Sequence, residues 1–416
     1  MARPSNADPS CRAVGPASRM IAVGRGLLIL CLPGLVLLVG LPAVLRGGQI
    51  DAMHWALPAA AILAGAGWIL GRARLGLTLW IAFGVAGSVA LLSALAVGRA
   101  PQAMPVLLLL VLVCGAGAGG ALLRSRLEVA LCLLAAVVLA WFAGRTAPVE
   151  QAADRPVLAV ITGLPLFWRE GEQGLAARSD APVIALLRRR FDVRPLDSAS
   201  SPDLQRARLL LLAQPRGMRA DALAVIDRWV RQGGRAVVLA DPLLRWPSPL
   251  PLGDRRRAPP VSLLRPLLDH WGVRLAPPAT MGEERHFLAD GSLLTTMAGS
   301  RFELSGGHCR AAASGLVAQC RVGQGKVVLV ADADLIDDRL WLADPDHPLS
   351  PQQWSADTPA LLTQWLGQSL PGERQWVRSG EALARAVRWA LLAGILWAGL
   401  GWALFGRGKS GIWRRG

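Results

Sequence analysis

The chain has 416 residues, 53% hydrophobic content, mean hydropathy +0.38, and 16 tryptophans beside no tyrosine, a composition too apolar for an ordinary soluble protein. The formal charge of +16 reads as a nucleic-acid signal until it is partitioned. Residues 147–382 hold 28 basic and 26 acidic side chains, so the excess lies in the apolar part of the chain, where it works as an orientation device; no nucleic-acid partner is expected.

In chain order, apolar runs predict membrane spans over 26–45, 53–70, 75–97, 103–123, 127–143 and 389–405, each near the roughly 20 residues that cross a bilayer. The first run is too long for a signal-peptide core, and no small-x-small cleavage site follows it before Arg46. The predicted organisation is a tail over 1–25, five spans within 26–145, a soluble domain over 150–380, a last span over 387–405, and a basic tail over 406–416.

Cationic residues are retained on the cytoplasmic side, so their distribution sets the topology. The N-terminal tail (Arg3, Arg12, Arg19, Arg25), two short loops (Arg72 with Arg74, Arg124 with Arg126) and the C-terminal tail (Arg407, Lys409, Arg414, Arg415) carry 12, whereas the alternate loops carry only Arg46 and Arg99. The expectation is a multi-pass protein of a bacterial inner membrane with both termini cytoplasmic, the soluble domain periplasmic, and lipid around its helices. Trp55, Trp68, Trp141, Trp389 and Trp402 lie near span ends, where indoles favour the headgroup level. The pairs Gly67 with Gly71, Gly84 with Ser88, and Gly115 with Gly119 have the spacing that permits close helix crossings. Apart from Glu128 at an edge, the span interiors hold no ionisable residue, which points to a scaffold or partner-binding surface instead of an ion path.

The soluble stretch alternates apolar runs (Val157 to Thr162, Leu209 to Ala213, Ala236 to Ala240, Val327 to Ala331) with helical patterns (Arg219 to Gln232, Pro182 to Arg190, Leu263 to Trp271, Thr358 to Leu366). Buried parallel strands alternating with helices predict a three-layer, doubly wound α/β domain. Two insertions interrupt it. Pro242 to Pro260 holds six prolines and Arg255-Arg256-Arg257 and is predicted irregular; Ser305 to Val322 is predicted to be a hairpin carrying Cys309 and Cys320. These are the only cysteines of that domain, and two readings stand for them: a disulfide in an oxidising compartment, or two buried thiols.

Open α/β sheets bind ligands beyond the carboxyl ends of their strands. Those ends read Gly163, Gln214, Asp241, and Asp332 with Asp334. The last four residues form a candidate ligand crevice, with carboxylates of the hard-oxygen type that suits a divalent cation; the alternative is that each carboxylate caps a turn. No G-x-S-x-G, G-x-C-x-G, H-E-x-x-H or C-x-x-C occurs, and His54, His270, His286, His308 and His347 are scattered, so no catalytic residue, cofactor site or metal site is assigned. Ala403 to Ser410 satisfies a relaxed Walker A pattern but ends a membrane span instead of following a strand, which excludes it as a phosphate loop. Trp246 with Arg255, Arg256 and Arg257 forms a candidate surface for an acidic partner, or else a solvated loop.

The segment from Leu209 to Asp241, LLLLAQPRGMRADALAVIDRWVRQGGRAVVLAD, resembles the auxiliary component of ABC-type transport systems typified by the gliding-motility GldG proteins, and GQGKVVLVADADLIDDRLW from Gly323 to Trp341 is similar to the same group. The resemblance, over roughly 157 to 366, implies an extracytoplasmic domain related to class I glutamine amidotransferases, working beside an ATP-binding subunit and a permease. An amidotransferase nucleophile would fall near Asp241, where no cysteine stands, and five spans precede the domain where one is expected. A non-catalytic accessory is the resulting expectation. An envelope sensor or scaffold without a transporter, and a degenerate hydrolase, are the alternatives.

Overall fold

The computed structural model describes residues 16–122, 148–168, 170, 178–199, 202–370 and 372–405. The predicted span over 127–143, most of the cationic tail residues, and Arg124 and Arg126 lie outside them. The chain divides into two compact units, one made of 1–45, 50–145 and 377–416, the other of 46–49 and 146–376.

The first unit is helical. Helices α1 (Pro16–Gly47), α2 (Ala56–Leu70), α3 (Leu75–Val97) and α4 (Ala103–Leu122) precede the second unit in sequence, and a long helix, Gly380–Phe405, follows it. With the single turn Ala52–Trp55 that leads into α2, and taking Ile29–Gly47 of α1, all five give apolar spans long enough to cross a bilayer, which marks a membrane protein. Exposed large apolar side chains tell the same story: all but Leu252, Val261, Leu263 and Met281 belong to this unit, where lipid in place of water is the compatible solvent.

Close backbone approach holds α2 against α4. A Cβ on Gly120 would stand 2.0 Å from the Ala64 carbonyl oxygen, and one on Gly67 would stand 2.2 Å from that of Gly117. Only glycine permits this crossing. Of the predicted pairs, Gly67 and Gly84 with Ser88 do meet neighbours, Gly84 facing Trp397; Gly115 faces open space, and Gly117 and Gly120 make the contact instead. Trp80 of α3 and Trp397 of the last helix stack with centroids 4.3 Å apart, and each indole N–H donates to the other's backbone carbonyl, at 2.9 and 2.8 Å. Their polar atoms are thereby satisfied without water.

The second unit is a mixed α/β domain. Its described elements, in order, are β1 (Val157–Thr162), α5 (Pro182–Arg190), β2 (Asp192–Pro195), α6 (Pro202–Arg206), β3 (Leu209–Ala213), α7 (Ala220–Arg231), β4 (Arg235–Leu239), α8 (Arg265–His270), β5 (Val273–Leu275), β6 (Glu283–Phe287), β7 (Leu293–Met297), β8 (Phe302–Leu304), β9 (Cys309–Ala312), β10 (Val317–Val322), β11 (Gly325–Val330), α9 (Asp338–Trp341) and α10 (Thr358–Trp365), with the long apolar helix then becoming α11. The main sheet has the order β2-β1-β3-β4-β11-β10-β9, parallel as far as β11 and antiparallel through β10 and β9. Strands β1, β3 and β4 are buried along almost their whole length, as their unbroken apolar sequences require.

Helix α7 buries Leu223, Ile226 and Val230 on one face. Its Trp229 donates to the Ala207 carbonyl at 3.1 Å, and Gly233, at φ +109°, turns the chain into β4. The Pro242 to Pro260 insertion has no helix or strand. Two small antiparallel pairs, β5 with β8 and β6 with β7, stand outside the predicted elements.

Candidate functional site

Gln214, Asp241, Asp332 and Asp334 follow β3, β4 and β11, three neighbouring strands of the sheet, and each side chain is at most 1% exposed. Sequence reasoning places these strand ends side by side, and so does the fold. What fills the space between them is protein.

Gln214 has φ +41°, in the left-handed region that a glutamine enters only at a cost. Its hydrogen bonds fix it there: Oε1 accepts from the Asp241 N–H at 2.9 Å, and Nε2 donates to the carbonyls of Asp241 at 3.2 Å and Pro259 at 3.1 Å. Its own carbonyl accepts from Gly163 at 3.1 Å, and a Cβ on Gly163 would lie 2.7 Å from that oxygen. Glycine at 163 is thus needed for this approach.

The carboxylates bind backbone. Asp241 accepts from Leu243 N–H at 2.7 Å and Ala333 N–H at 3.0 Å. Asp332 accepts from Met297 N–H at 3.0 Å and Leu335 N–H at 2.6 Å. Asp334 Oδ2 accepts from Arg245 N–H at 2.7 Å, and its Oδ1 is buried with no hydrogen-bond partner. Asp241 and Asp334 thus hold the start of the Pro242 to Pro260 insertion and Asp332 holds Met297 at the end of β7, as turn-capping carboxylates do.

Burial pushes all three carboxyls above the ordinary carboxylate range. Asp334 rises to about 7, first through burial and then through the Asp241 charge; Asp332 rises well above its usual value through burial and the charges of both neighbours. The backbone donors pull the other way without winning. Three buried, mutually repelling acids favour their protonated forms. Among the described residues no group of three or more histidine, cysteine or acidic side chains is placed to hold a metal ion, and five of the six carboxylate oxygens accept a backbone N–H.

The surface drawn from Trp246 and the arginine run also changes. Trp246 is half-buried, its indole packed in part against the core. Arg256 pairs with Asp254 at 2.8 Å, and Arg257 donates to the Leu250 carbonyl at 2.8 Å. Of the three guanidiniums, these two are engaged inside the loop; Arg255 is exposed.

Cys309 and Cys320 stand directly opposite one another on β9 and β10 and are joined as a disulfide.

Sequence reasoning missed Asp357. It is 3% exposed and accepts from the Leu293 N–H at 2.8 Å, from the Trp376 indole and from Arg374, whose guanidinium also lies 4.9 Å over the Trp354 ring. These partners are distant in sequence, and no local pattern announces them.

The chain is similar to several solved structures, all distantly. An exo-β-1,4-mannosidase from Opitutaceae bacterium strain TAV5 shares 15% identity over 59% of this chain and 40% of its own, with a TM-score of 0.33. A β-galactosidase from Rahnella sp. R3 shares 15% over 58% and 35%, at 0.28, and Cytoplasmic Protein STM3548 from Salmonella typhimurium shares 11% over 52% and 100%, at 0.30. The chain thus spans about two fifths or less of the two glycosidases, and none of these values defines a shared fold. No curated protein matches. Residues 155–287, running from just before β1 to the end of β6, match the model of a family described as an ABC-type uncharacterized transport system, which indicates an auxiliary component of such a system.

Proposed function

We propose that the protein is a non-catalytic accessory subunit of an ABC-type transport or export system in a bacterial inner membrane, presenting its α/β domain in the periplasm beside an ATP-binding subunit and a permease. The observation that carries this reading is the family match over 155–287 in a chain that also holds five bilayer-length apolar helices. The strand-end chemistry supports the non-catalytic part. Five of the six carboxylate oxygens at the ends of β4 and β11 accept backbone N–H groups, so these acids serve chiefly to hold loops to the sheet. An amidotransferase-like ancestry for the domain is part of the proposal and rests on the resemblance of Leu209 to Asp241 and Gly323 to Trp341; the second segment lies beyond the matched residues.

Purification of the full chain from membranes in a mild detergent tests the partnership: an ATP-binding subunit and a permease should co-purify in fixed proportion. Recovery of the chain with neither would overturn the transport role. The topology rests on the 12-to-2 cationic bias. A periplasm-active reporter fused after Arg145 or Gly380 should be active and one after Arg74 or Arg126 silent.

A further inference from the structure

The stretch 147–382, which holds nearly all of the second unit, is close to neutral with 28 basic and 26 acidic residues, yet its cations are not evenly spread. At the amino ends of β4 and β11, in the main sheet, strand register sets Lys326 of β11 directly opposite Arg235 of β4 on one side and Arg321 of β10 on the other. Directly paired residues project to the same face, so three cations cross three adjacent strands in a row, about 4.8 Å apart at their bases. Arg310 of β9 pairs with Gln319, two residues from Arg321, and adds a fourth cation to the same face. Like charges set opposite one another weaken a sheet.

These four cations line a groove of about 830 Å3, together with His308 and Trp365 among others, and no Asp or Glu lines it. None of the four has a side-chain ion pair or hydrogen bond among the described residues. Arg235 is half-buried, its guanidinium lying against Gly367, where a Cβ would come within 2.0 Å of it. The opposite face of the same hairpin carries the Cys309–Cys320 disulfide, which fixes β9 and β10 side by side and so fixes Arg310 and Arg321. A concave surface lined by one sign of charge concentrates the field and attracts counter-ions. Three guanidiniums among the four favour oxyanions that accept two hydrogen bonds at once.

We propose that this groove is a binding site for a small soluble polyanion of the pyrophosphoryl class, whose neighbouring anionic groups engage Arg235, Lys326 and Arg321 along the row while Arg310 closes the far side. The site stands on its own residues and holds whether or not the chain serves a transporter.

The test uses the full chain in a non-ionic detergent, with pyrophosphate as the probe and calorimetric titration at low salt as the measurement. The wild-type chain should bind pyrophosphate saturably. The double variant Arg321→Gln/Lys326→Gln should bind at least tenfold more weakly, and Arg219→Gln, an exposed arginine on another part of the domain, should bind as wild type does. An unchanged melting temperature establishes that the double variant is folded; if it is not, the single variant Lys326→Gln takes its place with the same expected direction. Absence of saturable binding by the wild-type chain would overturn the proposal. So would equal affinity of wild type and the folded variant, or an equal response to sodium chloride at matched ionic strength. Binding seen only with vesicles containing phosphatidylglycerol, and not with pyrophosphate, would also overturn it by assigning the cations to a lipid surface.

Discussion

Replacing Asp334 by asparagine should change how the domain's stability depends on pH, and the size of the change follows from the site. The carboxyl has an ordinary value of 3.8 when the chain is unfolded and about 7 when folded, because it is buried beside Asp241 and its Oδ1 has no donor to stabilise a negative charge. Between about pH 4 and pH 7 the folded state therefore holds a proton that the unfolded state has lost. Stability supplied by that proton is fully present below the unfolded value, falls as pH rises through this window, and levels off above the folded value. At roughly 1.4 kcal/mol per unit, a shift of about 3 units amounts to about 4 kcal/mol.

Asparagine imitates the protonated acid at every pH and keeps an acceptor for the Arg245 N–H. The variant and the wild type should be nearly equal in stability near pH 4 and diverge steadily, with Asp334→Asn ahead by up to about 4 kcal/mol at pH 7.5. Asp241 and Asp332, also raised, retain their part of the slope in both proteins. Urea-dependent pulse proteolysis of the full chain in detergent micelles, repeated across this range, reads the difference directly. A slope identical in the two proteins, or a variant that loses ground as pH rises, would refute the account of Asp334 as a carboxyl kept protonated by burial.

Asp357→Ala should cost about 3 to 5 kcal/mol in the same assay, because it removes the carboxylate paired with the buried Arg374 and strands the Trp376 and Leu293 donors; Asp357→Ala combined with Arg374→Met should cost less than the sum of the single changes. Gly120→Val should destabilise the helical unit by about 1 to 3 kcal/mol, since its side chain meets the Ala64 backbone and not a movable side chain, while Gly115→Ala, which faces open space, should be neutral in a thermal denaturation in micelles. Cys309 and Cys320 should yield no free thiol in the denatured, unreduced protein. Opening their short loop by Cys309→Ser/Cys320→Ser should cost about 3 kcal/mol by urea titration, and two titrating thiols in the wild type would contradict the pairing.

Patterns confined to one strand or helix were legible in the sequence, and relations between elements were not. The runs at Val157, Leu209 and Pro182 end within a residue or so of the elements they announce, because an unbroken apolar strand and a helix opened by proline are local facts. Strand β6, Glu283-Glu284-Arg285-His286-Phe287, escapes such reading, since its sequence has no apolar alternation and its pairing with β7 defines it. Glycine spacing named Gly115 with Gly119 where the structure uses Gly117 and Gly120; periodicity locates a small-residue stripe without saying which helix comes to meet it. Gln214 lies in the left-handed region through four hydrogen-bond partnerships, none of them sequence neighbours, and Asp357 gathers its partners from equally scattered positions.

The rule that open α/β sheets bind at the carboxyl ends of their strands led to a crevice that the chain's own loops line, and the reason is physical. At that end the Pro242 to Pro260 insertion folds back, with Asp241 accepting from Ser262 at 2.6 Å and Pro260 from Leu244 at 2.9 Å, so the crevice is occupied by the chain's own backbone and the acids serve its N–H groups. Five of the six carboxylate oxygens there are engaged by backbone amides, and Asp334 Oδ1 is the sixth. The unspent polarity sits at the amino ends of β4 and β11, where Arg235 and Lys326 open the cationic row, some five residues of strand away from Asp241 and Asp332. The two ends of the same strands thus divide the work: the carboxyl end uses its polar groups in holding the fold, and the amino end presents a row of cations, at a cost in cross-strand repulsion that an anion would remove.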